Sequence, residues 1–204
     1  MQKSSPFFFA LLAIYAVLCV AFSFTPFDRS IWFAENLTVW IIVAILLVLY
    51  ACKIRFSSVA YFMMFVLIYL HTIGGYYTFA RVPFDFVSDL FDFERNHFDR
   101  IAHFSVGFYA FAVAEWIYAK RAVASKLVLF TYPVFLIATV AMSYELVEWI
   151  YAAGNTNTED AMAYLGSQGD IWDAQKDMLA DTLGALFAMT VFFSVKKLWW
   201  GKIR

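Results

Sequence analysis

Six apolar runs of about twenty residues dominate this chain, and that length is what a helix needs to cross the hydrocarbon of a bilayer. They cover residues 7–24, 37–52, 56–80, 99–118, 127–151 and 172–195. A 204-residue chain that is 63% apolar and only 15% charged has more apolar surface than one soluble core of this size can hide, so the excess faces lipid. The expected fold is all-α: a polytopic membrane protein of about six transmembrane helices in a single domain. The first run lacks a small-x-small cleavage site and reads as a retained helix rather than a signal peptide. Cys19 and Cys52 form no C-x-x-C pair and read as small buried hydrophobes.

The connections set the orientation. Lys3, Lys53, Arg55, Lys120, Arg121, Lys126, Lys196, Lys197, Lys202 and Arg204 account for ten of the fifteen basic residues and fall on one side. The acids Asp28, Glu35, Asp85, Asp89, Asp92, Glu94, Glu159, Asp160 and Asp170 fall on the other. The positive-inside rule then places both termini in the cytoplasm (N-in/C-in). Residues 81–98 carry Phe84, Val87, Leu90 and Phe91 among acids, which predicts a short amphipathic helix on the membrane surface. Residues 152–171, rich in Gly and Asn, read as a loop. A net charge of −1 and no basic patch with interleaved aromatics leave nucleic acid aside as a partner; membrane lipid is the expected one.

Ionisable residues inside the apolar runs are the informative ones, because a charge at the bilayer centre costs at least about 2.5 kcal/mol. They gather in the outer half. His71 lies in the third run. Asp99 and His103 are four apart and share a helical face, as do Glu145 and Glu148, three apart. Asp173, Asp177 and Asp181 recur every four residues, a stripe descending about 12 Å at 1.5 Å per residue. Such like charges must either share protons or hold a cation. Two imidazoles among carboxylates suit a divalent metal: Zn²⁺ through both histidines, or Mg²⁺ and Mn²⁺ through the oxygens. The expected ligands are His71, His103, Glu145 and Asp177, with Asp99 and Asp181 in the same set. Glu148 or Asp173 is the candidate general base, and Arg81 the cation near an anionic substrate group. Structural roles compete. Asp170 has the position of a helix N-cap. Lys176 suits an ion pair with Glu148 or Asp173. Glu115 suits snorkelling or pairing near Lys120. His97 suits solvent or the rim of the site.

Several motifs occur in order: His71-Thr72-Ile73-Gly74-Gly75-Tyr76-Tyr77-Thr78, Arg95-Asn96 to Asp99, His103-Phe104, Tyr144-Glu145-Leu146 to Glu148-Trp149, and Leu165-Gly166-Ser167-Gln168-Gly169-Asp170 with Trp172-Asp173 to Asp177-Met178. Over about residues 60–190 they resemble the YjdF-like bacterial inner-membrane proteins, described as a domain of unknown function. The resemblance implies a multi-pass protein of the bacterial cytoplasmic membrane and supplies no activity. More distantly, Asp99, His103, Glu145, Asp177 and Gly184 are similar to the pattern of VanZ-like membrane proteins. Glu148 stands there in place of Gln and Asp181 in place of Asn, and the arginine usual before the last helix has no clear equivalent. That likeness implies a core at residues 56–195 with the first two helices peripheral. The functions weighed are a metal-dependent hydrolase or transferase acting on a lipid or cell-envelope precursor, a non-catalytic envelope or headgroup-binding factor, and a proton-coupled transporter.

Overall fold

The structure, a computed structural model, describes residues 5–154, 165 and 167–200, and every regular element among them is helical. The elements are α1 (Ser5–Ser23), α2 (Arg29–Ala51), α3 (Ser58–Tyr77), a single 3₁₀ turn (Phe79–Arg81), α4 (Asp85–Phe91), α5 (Phe98–Val106), α6 (Tyr109–Ala119), α7 (Lys126–Gly154) and α8 (Asp173–Val195). Among the described residues, six segments are long and apolar enough to span a bilayer, with α5 and α6 counting as one from Phe98 to Ala119. Most of the loop expected at residues 152–171 lies outside the described residues.

Local chemistry sets the helix ends. Asp28 caps α2 by accepting the Ile31 N–H at 2.9 Å, and Ser57 caps α3 through the Ala60 N–H at 3.2 Å. Helix α2 therefore begins eight residues earlier than its apolar run, and Glu35, read as part of a connection, lies inside it and is buried. Lys53, Arg121 and Lys197 follow α2, α6 and α8 with positive φ. Beyond each, an apolar residue closes back onto the helix: Ile54 N–H to Leu49 O, Ala122 N–H to Ile117 O, and Leu198 N–H to Phe193 O. These are Schellman closures with a basic residue where glycine is usual, and the cation complements the helix C-terminus. Glu115 pairs as expected, but with Lys196 at 3.5 Å rather than Lys120, and it also accepts the Ser57 N–H at 2.9 Å. Cys52, expected to be buried, is an exposed C-cap residue.

Helices α3 and α8 flank the α5–α6 span; α1 and α2 pack on α3, and α7 packs on α6 and α8. Outward faces are apolar, as lipid contact requires: Val17 on α1 and Phe135 on α7 are 70% and 67% exposed. The core runs through Phe65, Ile68, Phe111, Met189 and Phe192. A short helix is present as expected between residues 81 and 98, as α4, with Phe86 and Leu90 exposed. Two close helix crossings position the buried polar residues. Gly107 and Gly184 let α5 and α8 touch backbone to backbone: a Cβ on Gly184 would overlap the Phe104 carbonyl oxygen. At Gly75, a Cβ would stand 3.0 Å from the Cβ of Glu35, so α2 approaches α3 one turn beyond His71.

Candidate functional site

The crossing at Gly107 and Gly184 presents one face of α5 to the carboxylate stripe of α8. Asp173, Asp177 and Asp181 are all buried on that face, Asp181 at 1% exposure. His103 stands against them. Its Nδ1 lies 3.3 Å from Asp181 Oδ2, and its Nε2 lies 3.6 Å from Asp99 Oδ1 and 3.7 Å from Asp177 Oδ1. One ligand atom from each of Asp99, His103 and Asp177 falls within 4.8 Å of the other two. Two ligands at about 2.0–2.1 Å from a tetrahedral ion stand roughly 3.3 Å apart, so an ion here would draw these atoms in from separations of up to 4.8 Å. Asp181, grouped with the ligands by its spacing, instead faces the opposite ring nitrogen of His103. That is the position from which a carboxylate fixes the tautomer of a ligating histidine.

Two arginines that spacing did not single out hold the stripe. Arg100 donates to both Asp173 and Asp177. Arg95 donates to Asp173 at 2.7 Å and to the Ser167 carbonyl at 3.1 Å, and approaches Asp170 at 3.4 Å. Asp173, a candidate base by position, is thus engaged by two guanidiniums. Asn96 and Gln168 join the two outer segments reciprocally: Asn96 N–H donates to Gln168 Oε1 and Gln168 Nε2 donates to Asn96 O. Lys176 pairs with Asp170 at 2.6 Å, not with Glu148 or Asp173. Asp170 accepts the Trp172 N–H at 3.1 Å, an Asx turn just before α8 rather than its N-cap. The hydrogen bond from Lys176, then that from Trp172, holds the Asp170 carboxyl below its ordinary range. His97 stacks edge-on with Phe93 at 4.5 Å, and burial, then the charges of Arg95, Arg100 and Lys176, push its pKa down from 6.5.

A cavity of about 120 Å³ opens beside His103. Asp99, Asp177 and Asp181 line one wall, Glu148 of α7 a second, and Glu35 and His71 a third. His71 Nε2 is 2.9 Å from Glu35 Oε2, off the line of a hydrogen bond. The close approach at Gly75 makes this pair, and Glu35 is a site residue that lies outside the apolar runs and so reads as part of a loop. Its signal was available: Asp28 as an N-cap followed by Trp32, Asn36, Val39 and Val43 on one face. Glu145 is only partly exposed, and its Oε1 is buried with no hydrogen-bond partner among the described residues; the same holds for Asp181 Oδ1. Arg81 is not in the cavity: it is exposed, with its guanidinium 3.8 Å over the Phe27 ring. Among the described residues, the carboxylates Glu35, Asp99, Glu145, Glu148, Asp170, Asp173, Asp177 and Asp181 gather around the site with the cations Arg95, Arg100 and Lys176 and the imidazoles of His71 and His103. Carboxylates outnumber cations even with both imidazoles charged, so the site favours protons or an added cation.

The family of predicted membrane proteins designated DUF2238 matches residues 7–198. The chain belongs to this family. It is 36% identical over 173 residues to the inner membrane protein YjdF of Escherichia coli (strain K12), covering 81% of this chain and 78% of that one. The family is uncharacterised, and the chain is a multi-pass inner-membrane protein carrying a buried acidic and histidine cluster. No solved structure matches it.

Proposed function

We propose that this family member is a metal-dependent hydrolase or transferase that acts on a lipid or cell-envelope precursor at the outer face of the membrane, with both termini in the cytoplasm. The observation that carries the reading is the Asp99–His103–Asp177 triad, whose ligand atoms converge within 4.8 Å at the edge of a cavity. In this reading Asp99, His103 Nε2 and Asp177 hold a divalent cation (Zn²⁺, Mg²⁺ or Mn²⁺). Asp181 orients His103 through Nδ1, and Arg100 holds Asp177 in place. Activation of a water and polarisation of a phosphoryl or carbonyl oxygen are what such a cation supplies. Glu148, across the cavity on α7, is the candidate base for that water. Glu35 and His71 on the far wall are placed to contact a polar headgroup.

A second reading, a headgroup-binding factor without catalysis, is favoured by the ion pairs that tie Arg100 and Arg95 to α8, since a satisfied buried network also specifies a fold. Transport is less well supported: Glu115, the acid buried toward the other membrane face, is engaged in capping α3.

The test is turnover by the purified protein of phosphatidic acid and of polyprenyl diphosphate, followed as phosphate release. The expected result is activity with Zn²⁺ or Mn²⁺, abolished by chelator and lowered at least about a hundredfold in His103→Ala, the scale of losing one key catalytic group. No turnover with any ion would favour the second reading, and metal-independent turnover would overturn the metal site while keeping catalysis.

A further inference from the structure

Helices α2, α3, α6 and α7 enclose a second space, an apolar groove of about 510 Å³. Among the described residues its lining carries no charged side chain, and Tyr109, which contributes to it, spends its hydroxyl on the Met64 carbonyl at 3.2 Å. The groove and the polar cavity share Ile42 in their linings, so they adjoin along α2. Helix α2 packs on α3 and makes little contact with α7, which leaves the groove open to the bilayer between them. Ile45 on this edge is 53% exposed.

Polarity and direction fit an amphiphile. Glu35, His71 and His103 stand at the outer end, and Ile45, Leu49 and Leu136 follow toward the end that carries Lys53 and Arg55. Length narrows the choice. From Glu35 to Leu49 the path along α2 is about 21 Å at 1.5 Å per residue. Ile54 and Phe56, in the turn beyond α2, still line the groove. The chains of one leaflet cover only about 15 Å, half of a core roughly 30 Å thick. An occupant that fills the groove from the polar cavity needs a chain longer than about 21 Å, which an acyl chain reaches only if fully extended and a polyprenyl chain reaches with length to spare.

We infer that the groove between α2 and α7 holds the chain of a polyprenyl-type lipid whose polar head enters the His103 cavity. This deepens the proposed function and rests on its head site. It assigns Ile45, Ala112 and Leu136 as chain-contacting residues that select for length.

The experiment uses the full chain in nanodiscs with two photoreactive probes, each bearing a diazirine and an alkyne: a polyprenyl phosphate and a phosphatidylglycerol. Labelled peptides are mapped by mass spectrometry, and metal content is read on the same samples. Saturable polyprenyl labelling of peptides holding Ala112 and Leu136, competed by unlabelled polyprenyl phosphate, is expected. Ile45→Trp, at an exposed position where the fold tolerates bulk, should weaken it roughly tenfold by filling the groove; Leu136→Trp should do the same from the facing helix. Equal or stronger labelling by phosphatidylglycerol overturns the inference in favour of an ordinary acyl occupant. Non-saturable labelling that extends to the α1 face around Val17 overturns it in favour of annular lipid. Saturable polyprenyl labelling without metal in any sample supports the groove and sinks the metal reading; bound metal without such labelling does the reverse.

Discussion

Gly184→Ala is expected to cost at least about 3 kcal/mol and to leave most of the protein misassembled, because the added methyl meets backbone rather than side chain. A Cβ there would overlap the Phe104 carbonyl oxygen and stand 3.3 Å from the Gly107 Cα. Neither atom moves without separating α5 from α8, and separation also withdraws His103 from Asp181. Gly107→Ala should behave alike, since its Cβ would meet the backbone of Ala185, Gly184 and Asp181. Gly74→Ala should be milder: the atoms in its way belong to the Phe79 ring, which can swing. Gly154→Ala, with nothing within 4 Å, is the control. Unfolding in a denaturing-detergent titration orders the set, and a Gly184→Ala midpoint equal to that of Gly154→Ala would refute the crossing.

Arg100→Met should cost about 3–5 kcal/mol, the range for breaking a buried ion pair from one side. Asp173 would keep Arg95 at 2.7 Å, but Asp177, at 3% exposure, would be left with only His103 at 3.7 Å among its described charged partners. The cost should come from the stranded carboxylate more than from the missing guanidinium. Adding Asp177→Asn to Arg100→Met should therefore recover a substantial part of the loss, and a double-mutant cycle measures the coupling. Additive losses would mean that the two residues do not share the interaction described here.

The spans were legible because lipid imposes one demand, a long apolar run, and the chain meets it six times. The start of α2 was not. Arg29, Glu35 and Asn36 lower the apolarity of its first turns, yet each is satisfied locally: Arg29 donates to the Ser23 and Phe24 carbonyls, Asn36 to the Trp32 carbonyl, and Glu35 faces His71. The ends of α2, α6 and α8, by contrast, fall within one residue of the ends of their apolar runs, because the Lys or Arg that occupies the left-handed position usual for glycine also breaks the apolar pattern. Helical periodicity brought out the site's main stripe, since Asp173, Asp177 and Asp181 must share a face in any helix. What that stripe faces depends on packing. Arg100 neighbours Asp99 in sequence but reaches across to α8, and Arg95 arrives from a loop held by Asn96 and Gln168. Arg81, the cation just beyond the end of the third run that carries His71, was the natural choice and lies elsewhere, over Phe27. Partners separated by more than seventy residues leave no local pattern to read.

The measurement that bears most directly on the metal reading is elemental analysis of the purified protein, wild type beside His103→Ala and Asp177→Asn. The account predicts stoichiometric zinc or manganese in the wild type and its loss from both variants, with Arg81→Ala unchanged. Metal-free wild type after supplementation, or equal metal in all four proteins, would contradict it and leave the cluster as a network of shared protons.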